Sequence, residues 1–497
     1  MGVRGSGSLP RLPTVGELRT IPPGQGPRKA VVWLLGTLAC RGEIRVGGLR
    51  MKSGIGDAAA DDLLGVNGRF GGPGGTAPEV VGSRSPWGGT ESAAPDFYDS
   101  PALRPYRSMS LEEILEHAGL RRIDVVAWRD LDDDEAGGSE LHAHRILSAW
   151  AQAGLYVNMT TSTAPGAPPF VSRGGYRVTR RVGRYSIFPR TMISGTLGHL
   201  GRGDGLVEIW NGMPFLSPLW AAWPRMVFLH HVHGEMWKMV LPKGLAEVGH
   251  TIEHRLAPPV YRRTPIVTLS SSSRDEIVER LRIPAGRISV SPPGVEAHFS
   301  PGGLRSPAPL VVGVGRLVPV KRFELMIEAL LRLKTSVPEL QAVIAGEGYE
   351  RPMLEDLIRR GGAESWISLP GFVDEDELID LYRRAWVVAS SSLREGWGMT
   401  ITEAAACGTP SVVSRISGHQ DAVVDGESGI LFDDADGMVD SLRSVLTDDV
   451  LRKRLTVGAL DYSARFNWDA AAKRALSVLA AEAVRRRTPV RPGLRSS

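Results

Sequence analysis

Glu395 and Glu403 are two carboxylates that flank a short glycine-containing turn, in the segment EGWGMTITE. We place Glu395 in a loop that follows a strand and Glu403 about one turn into the next helix, so both could reach one ligand. Carboxylates accept hydrogen bonds from sugar hydroxyls. The N-terminus of that helix offers free N–H groups and partial positive charge to a phosphate. Taken alone, Glu403 could equally serve only to complement the helix dipole.

A basic loop precedes these carboxylates in the chain. Gly313 and Gly315 come at the end of a predicted strand and let a ligand approach the backbone. Arg316 and Lys321 carry the charge that would neutralise a diphosphate. By itself, a basic loop after a strand is more often a solvated surface.

Two further glycine loops follow predicted strands. In one, Phe372 comes directly after Gly371, and the backbone groups of such a loop can read the edge of a nucleobase. The second loop contains Gly346 and Gly348. Each loop is a weak signal when it is considered alone.

Alternating strands and helices must position these residues. Continuous apolar runs predict strands that are buried on both faces. In the second half the predicted strands are 310–314, 341–345, 366–369, 387–390 and 411–414, with helices at 323–334, 351–360, 375–385 and 400–407. In the first half the predicted strands are 123–128, 205–210, 225–230 and 265–269, with helices at 110–119 and 139–153. This rhythm predicts an α/β protein with two Rossmann-like, doubly wound domains that face a central cleft.

The predicted domain organisation has five parts. Residues 1–107 are rich in Gly, Ser, Pro and Ala and are expected to be a disordered extension. An N-terminal Rossmann-like domain over 108–302 and a C-terminal Rossmann-like domain over 303–466 are expected to follow. A helix over 467–487 is expected to pack back toward the first domain, before a tail at 488–497.

Composition narrows the class of protein. The 497 residues are 42% hydrophobic, which is enough for real cores. Two cysteines, Cys40 and Cys407, are too few for a disulfide framework or a cysteine-based zinc module, and they favour a reducing, cytoplasmic location. The formal net charge of +4 suits anionic ligands but is too small to indicate nucleic acid. The apolar run at 30–40 has the length of a signal-peptide core, so export stays open.

Four segments of the second half together resemble the retaining GT-B glycosyltransferases of the large family four (glycosyl transferases group 1). They are GRLVPVKR at 315–322, AGEG at 345–348, GFVDEDELIDLYRRA at 371–385 and EGWGMTITEAAACGTPSVVS at 395–414. The resemblance implies a hexosyltransferase that uses a nucleotide-sugar donor and retains its anomeric configuration. Because a basic pair and a helix end replace a metal in that family, it also implies no metal and no other cofactor.

The resemblance assigns roles to the charged residues named above. Arg316 and Lys321 would hold the diphosphate of a UDP- or GDP-linked donor and stabilise the leaving nucleotide. Glu403 would bind the ribose. Glu395 would bind the hydroxyls of the transferred sugar, which makes it a catalytic candidate.

Backbone groups would complete the donor site. The N–H groups of Met399 and Thr400 would meet the phosphates, and the loop at Phe372 would meet the base. In the first half, Gly137 and Gly138 are similar to the family's first glycine loop, which approaches the donor phosphates from across the cleft.

A histidine is the second catalytic candidate. His230 ends an apolar strand, where the family places a histidine beside the reacting sugar. His231 and His233 follow so closely that the pattern does not decide which imidazole faces the donor. The three histidines together with Glu235 could instead bind a metal.

The acceptor is not specified by these residues and could be a glycan, a lipid or a small molecule. Between positions 173 and 188, five arginines stand among Tyr176, Tyr185 and Phe188. Relatives that act on lipids touch the membrane with such segments, so a peripheral membrane contact and a solvated loop are both open. The acidic run at 130–135 is expected to be a solvated loop rather than a metal site.

A competing hypothesis rests on His250, Glu253 and His254, which fit the H-x-x-E-H pattern of inverzincin metallopeptidases. Three fixed positions arise readily by chance, and such a site needs a further distant ligand. The patterns also leave open a non-catalytic nucleotide-sugar-binding protein, a sugar phosphorylase and a nucleotide-sugar epimerase. The presence of both Glu395 and Glu403 favours an enzyme.

Overall fold

The computed structural model of the protein describes residues 97–200, 203–240 and 243–487. Most of the predicted disordered extension, the apolar run at 30–40 and the tail at 488–497 therefore lie outside the described residues. Residues 97–107, which composition assigned to the extension, form two 3₁₀ turns, Phe97–Asp99 and Arg104–Tyr106. The reason is local burial, because Tyr106 is 2% exposed and packs into the core of the first domain.

An eight-stranded sheet forms the N-terminal half. Its strands are β1 (Arg122–Val126), β2 (Tyr156–Ser162), β3 (Phe170–Arg173), β4 (Tyr176–Val182), β5 (Gly205–Trp210), β6 (Arg225–Leu229), β7 (Ile266–Thr268) and β8 (Ile288–Val290). The spatial order is β3-β4-β2-β1-β5-β6-β7-β8, and neighbours are parallel except in the β3–β4 hairpin. Apolar runs predict β1, β5, β6 and β7. They do not predict β2 and β4, whose outer faces carry polar side chains.

Helices connect these strands. They are α1 (Leu111–Ala118), α2 (Gly138–Gln152), α3 (Ile187–Thr196), α4 (Met236–Val240), α5 (Lys243–Thr251), α6 (Ala257–Tyr261) and α7 (Ser271–Leu281), with a π-helix at Ile252–Leu256 between α5 and α6. The predicted capping box of α1 is confirmed. The Glu113 N–H donates to the Ser110 hydroxyl at 3.2 Å, and the Ser110 N–H donates to the Glu113 carboxylate at 2.7 Å.

A six-stranded, fully parallel sheet forms the C-terminal half. Its strands are β9 (Leu310–Val314), β10 (Gln341–Ala345), β11 (Ile367–Gly371), β12 (Val387–Ser390), β13 (Ser411–Ser414) and β14 (Gly429–Phe432), in the order β11-β10-β9-β12-β13-β14. Its helices are α8 (Phe323–Leu333), α9 (Arg351–Arg360), α10 (Glu375–Arg384), α11 (Met399–Ala406), α12 (His419–Ala422), α13 (Ala435–Thr447) and α14 (Asp449–Ser463). The order turns around at β9 and β12, and ligands of such sheets bind where the order reverses.

The last helix, α15 (Trp468–Arg487), packs against the N-terminal sheet rather than its own. Its alanines are buried in the same apolar core as β1 and α2. The Trp150 indole N–H donates to the Ala472 carbonyl at 2.9 Å. The chain therefore crosses back and ties its C-terminal end to its first domain. Within the described residues, no helix has both the length and the apolarity needed to cross a membrane.

Candidate active site

Lys321 and Glu395 form an ion pair on the C-terminal side of the cleft. The Lys321 Nζ and Glu395 Oε1 atoms are 2.5 Å apart, and the two side chains are 20% and 18% exposed. The Ser392 hydroxyl donates to the same carboxylate oxygen at 2.8 Å. Lys321 lies in the loop after β9 and Glu395 in the loop after β12, and these strands are neighbours. Parallel pairing therefore brings the two side chains to one edge of the sheet, as their sequence positions suggested.

The electrostatics of this pair keep Glu395 ionised. Burial raises the pKa of its carboxyl, but the Lys321 ammonium and the Ser392 hydroxyl outweigh that effect and lower the pKa to about 2. Glu395 is therefore a hydrogen-bond acceptor throughout the neutral range. It can hold sugar hydroxyls but not donate a proton.

Arg316 reaches across the cleft to the N-terminal half. Its Nη1 donates to the Glu135 carbonyl at 3.0 Å, and a β-carbon placed on Gly137 would lie 3.4 Å from its Nε. A β-carbon on Gly138 would lie 3.1 Å from the terminal methyl of Met399. The structure thus brings together the glycine loop of the first half and the basic loop and helix start of the second.

The start of α11 faces the same place. Gly398 precedes it with φ +108°, a conformation that side-chain-bearing residues rarely adopt. The first turn closes when the Ile401 N–H donates to the Gly398 carbonyl at 3.0 Å. The N–H groups of Met399 and Thr400 precede that bond, so they are placed to receive an acceptor from outside the helix.

Glu403 lies further along α11, with an environment opposite to that of Glu395. The Tyr382 hydroxyl donates to its Oε2 at 3.2 Å, and the nearest charges are the carboxylates of Glu375 and Glu296. Burial, reinforced by those like charges, raises the pKa of Glu403 to about 7. Two carboxyls on one ligand-facing segment therefore differ by several units in acidity.

Phe372 lies at the outer edge of the site. It follows Gly371, which has φ +90°, and its ring is 83% exposed. The Gly346 N–H donates to the Gly371 carbonyl at 2.7 Å, so the two glycine loops are joined. The loop is thus open to a planar group from solvent.

His230 does not face these charged residues. It is 4% exposed, and its Nε2 lies 3.2 Å from Nδ1 of His142 on α2. Burial lowers the pKa of His142 to about 3 and that of His230 well below its ordinary value. The two neutral rings form a buried pair. A catalytic role for His230 remains a prediction, and this geometry gives it no direct support.

His231 is the histidine that shares its surroundings with the donor-side charges. Burial and the Arg394 guanidinium lower its pKa to about 4, against the opposing effect of Glu395, with Arg316 and Lys321 also in range. Its imidazole is therefore neutral at pH 7. The spacing of the histidines could not reveal this, because consecutive residues after a strand point in opposite directions.

The acidic run at 130–135 is solvated only in part, because Asp130 and Asp133 are buried while Asp134 and Glu135 are exposed. Arg180, which is fully buried, donates through Nε and Nη2 to the two oxygens of Asp130 at 2.8 Å each and also pairs with Asp132. Arg173 pairs with Asp132, and Arg184 pairs with Glu135 at 2.6 Å. Three of the five arginines considered for a membrane contact are thus bound to this loop.

Across the described residues, no cluster of three or more His, Cys, Asp or Glu side chains could hold a metal ion.

The H-x-x-E-H segment also has an internal structure that opposes peptidase chemistry. Glu253 is fully buried, and both of its oxygens accept hydrogen bonds from N–H groups of residues 233–237. His250 and His254 stack on each other with ring centroids 4.1 Å apart. A base that is enclosed in this way cannot activate a water molecule, so the metallopeptidase hypothesis is wrong for this segment.

Contacts between the two halves involve residues that the sequence patterns did not single out. The Asp421 carboxylate accepts hydrogen bonds from the N–H groups of Ser271 and Ser272 at 2.8 and 3.0 Å, so it caps α7 from the opposite half. A β-carbon on Gly396 would lie 2.7 Å from the His230 carbonyl oxygen. The close approach of the Glu395 loop to the end of β6 therefore requires glycine at 396.

Comparisons with known proteins agree with this architecture. Residues 136–299 match the family described as Glycosyltransferase Family 4, and residues 295–459 match the family described as Glycosyl transferases group 1. A D-inositol 3-phosphate glycosyltransferase from Xylanimonas cellulosilytica is 29% identical over 402 residues, covering 71% of this chain and 93% of the relative. Another from Stackebrandtia nassauensis is 33% identical over 224 residues, covering 41% of this chain and 51% of the relative. The chain therefore spans about half the length of the second relative.

Among solved structures, a sucrose-phosphate synthase from Thermosynechococcus elongatus superimposes with a TM-score of 0.60 at 20% identity, covering 71% of this chain and 96% of that one. At such identity the likeness concerns the fold, which is the two-domain GT-B fold. The two family matches run in tandem from 136 to 459 and cover the second sheet and all of the first sheet except β1, so the chain belongs to the family four glycosyltransferases of the GT-B fold.

Proposed function

We propose that the protein transfers a hexose from a nucleoside diphosphate sugar to an acceptor hydroxyl, with retention of anomeric configuration. The observation that carries this proposal is the convergence of the Lys321–Glu395 pair, the Arg316 guanidinium and the start of α11 at one cleft. Two cations and a helix N-terminus complement a diphosphate, and an adjacent carboxylate complements sugar hydroxyls.

Donor binding would exchange hydrogen-bond partners. The Lys321 ammonium would pass from Glu395 to a phosphate oxygen, and Arg316 would exchange the Glu135 carbonyl for another. Glu395 would then accept from the sugar hydroxyls. As the glycosidic bond breaks, the two cations would stabilise the charge that builds on the departing diphosphate.

Groups around this centre would hold the rest of the donor. Glu403 would accept from the ribose hydroxyls, and the N–H groups of Met399 and Thr400 would bind phosphate oxygens. The Phe372 loop would contact the base. From the opposite half, Gly137 and Gly138 would admit the phosphates, since neither has a side chain to exclude them.

We assign the histidine beside the transferred sugar to His231 rather than to His230. His231 lies near Glu395 and Lys321, whereas His230 is committed to His142. A neutral imidazole could accept a hydrogen bond from a sugar hydroxyl or donate one, without adding charge next to the developing positive character of the sugar ring.

Retention without a protein nucleophile is the mechanism that we favour. Glu395 is the nearest carboxylate, but its pKa of about 2 and its ion pair with Lys321 make it a poor nucleophile. A front-face substitution, in which the departing phosphate takes the acceptor proton, fits this arrangement. Detection of a covalent glycosyl-enzyme on Glu395 would contradict it.

The donor is proposed to be linked to UDP or GDP, and no metal or other cofactor is proposed. The acceptor is proposed to be a glycan, a lipid or a small molecule. A peripheral membrane contact would rest on the exposed side chains of Arg177, Arg181 and Tyr185. Sedimentation with anionic vesicles, compared with the R177A/R181A variant, would test that contact separately.

Calorimetry of UDP, GDP and ADP, each with and without EDTA, tests the donor site. We expect one nucleotide to bind independently of metal, and Arg316→Ala to weaken that binding. Release of the nucleoside diphosphate from the matching sugar donor then separates an enzyme from a non-catalytic binding protein. Well-folded protein that binds no nucleotide would refute the proposal.

A further inference from the structure

The buried carboxylate of Glu253 is not used by the reaction proposed above, although it lies in the most distinctive sequence motif of the first half. It is 0% exposed and belongs to the π-helix Ile252–Leu256. Its Oε1 accepts from the His233 N–H at 2.7 Å. Its Oε2 accepts from the Gly234 N–H and from the Trp237 indole N–H, each at 3.0 Å.

Two of these donors belong to the turn that follows β6, and the third, Trp237, lies on α4 directly after that turn. The N–H groups of His233 and Gly234 are consecutive and point at one anion, and Gly234 has φ +50°. This arrangement is an anion-binding nest of the kind that often holds a phosphate. Here an internal carboxylate fills it, so the nest serves the protein's own turn and not the donor.

The same turn contains His231, which is connected to Trp237 through two ring contacts. The imidazoles of His231 and His233 are parallel, with centroids 4.9 Å apart and planes 15° apart. The His233 ring lies 5.3 Å from Trp237. Glu253 therefore holds, through the His233 backbone and the Trp237 indole, the far end of a row of three rings in which His231 and His233 stack and Trp237 is tilted by 44°. The near end of this row is His231, which directly follows the His230 carbonyl that lies against Gly396 beside Glu395.

We infer that Glu253 is a positioning residue, which fixes the 231–237 turn so that the His231 imidazole meets the transferred sugar. This inference rests on the proposed function, since it gives His231 a task in sugar transfer. A misplacement of about 1 Å in such a group can reduce turnover by ~100-fold. The anchor therefore matters for catalysis as well as for folding.

The chain offers a matched control in Glu208. It is also 0% exposed, and it anchors the segment after β5 by accepting from the Phe215 N–H at 2.7 Å and the Ser217 N–H at 3.3 Å. It also accepts from the Tyr261 hydroxyl of α6 at 2.6 Å. E253Q and E208Q each replace a buried acceptor by an amide whose NH₂ faces a donor. Both should destabilise the fold, but only E253Q removes hydrogen bonds that the N–H groups of the histidine turn itself donate.

The test is a double-mutant cycle on donor turnover with the full chain. E253Q should lower kcat by ~10- to 100-fold while the Kd for the nucleotide changes by less than about 2-fold. E208Q should leave the kcat of the folded protein within about 2-fold. In the H231A background, E253Q should have no further effect on kcat, because its effect passes through His231. Multiplicative effects of E253Q and H231A would overturn the inference.

Two further measurements keep the result decisive. If E253Q does not fold, W237F removes one of the three hydrogen bonds while keeping a ring in the stack, and its effect on kcat should likewise vanish in the H231A background. Amide hydrogen exchange over 231–237 should accelerate in E253Q and not in E208Q, and an unchanged rate would overturn the inference. Absence of turnover in the wild type would instead refute the proposed function, while the exchange data would still decide whether Glu253 holds the turn.

Discussion

The cleft has a C-terminal wall, which carries Arg316, Lys321 and Glu395, and an N-terminal wall, which carries the loop at 130–138. The two walls hold their charged side chains in different ways. On the C-terminal wall, Lys321 and Glu395 pair with each other and remain about one-fifth exposed, while Arg316 binds a single backbone carbonyl. On the N-terminal wall, the Arg180 side chain is fully buried against Asp130. The charges of one wall have partners that an anionic ligand could replace. The Arg180–Asp130 pair of the opposite wall is closed to solvent and to ligands.

This difference indicates that the C-terminal wall binds the ligand and that the N-terminal wall fixes the geometry of the site. Partners that can be exchanged suit binding and release of a diphosphate, because each new contact costs only a contact of similar strength. Breaking a buried ion pair leaves an uncompensated charge, so such pairs fix geometry instead. Beside the exposed Glu135, the N-terminal wall presents two neutral groups, the glycine loop at 137–138 and the His231 imidazole.

The largest expected effect comes from removing one cation from each wall. R180M should destabilise the protein by ~3–5 kcal/mol, because it leaves Asp130 buried without its partner. K321M should have a small effect on stability but weaken nucleoside diphosphate binding by ~100-fold. Thermal unfolding and calorimetry on both variants measure the contrast, with K453A as an exposed-lysine control on α14. Similar losses of stability in R180M and K321M would contradict the difference between the two walls.

Separate alanine substitutions of the two adjacent histidines test which of them serves the site and which serves the fold. H231A should lower the turnover of the donor by ~30-fold with little loss of stability, since its ring faces the site. H230A should instead cost ~1–2 kcal/mol of stability, because it removes the partner of the buried His142 ring. Steady-state kinetics and urea unfolding separate the two. A larger loss of kcat in H230A than in H231A would restore the assignment that the sequence pattern favoured.

Two glycines report how closely the walls approach. G396A should lower turnover by ~10-fold, because its methyl would meet the His230 carbonyl at 2.7 Å and push the Glu395 loop away. G137A should be milder, because its nearest contact would be a flexible arginine at 3.4 Å. Measurement of kcat and donor KM on both variants tests this. Equal effects on kcat and KM would mean that both contacts accommodate an added methyl group equally well, which would contradict this expectation.

The smallest effect is a pH dependence carried by Glu403. Its pKa is raised to about 7, so its ionised fraction grows about 10-fold as the pH rises from 6 to 8, and donor affinity should grow with it by up to about 10-fold. The nucleotide sugar is the right probe, because both of its phosphates are esterified and do not titrate in this range. E403Q should bind more weakly and with no such slope. A slope that persists in E403Q would assign the titration to another group.

The sequence predicted the C-terminal wall more fully than the N-terminal one, and the reason is physical. Around Lys321 and Glu395, loops come directly after buried apolar strands, so sequence position determines which sheet edge each residue reaches. In the N-terminal half, β2 and β4 are polar on one face and were not recognised as strands. Which of His230 and His231 faces the donor depends on the turn that Glu253 holds, a contact between residues about 20 positions apart.

Long-range partners were also beyond the reach of sequence patterns. The arginines near 180 were considered as membrane contacts because their acidic partners lie some 50 residues earlier. Asp421 lies some 150 residues after the helix that it caps, α7, so this contact becomes visible only in the folded protein.

A crystal structure with a bound, non-transferable analogue of the nucleotide sugar would show directly whether the Lys321–Glu395 pair opens to receive the donor. We expect the Lys321 ammonium to leave Glu395 for a phosphate oxygen and Arg316 to leave the Glu135 carbonyl, while the Asp130–Arg180 pair stays unchanged. The sugar should lie between Glu395 and the His231 imidazole. An analogue bound with the Lys321–Glu395 pair intact, or bound away from it, would contradict the central claim that this pair opens to receive the donor.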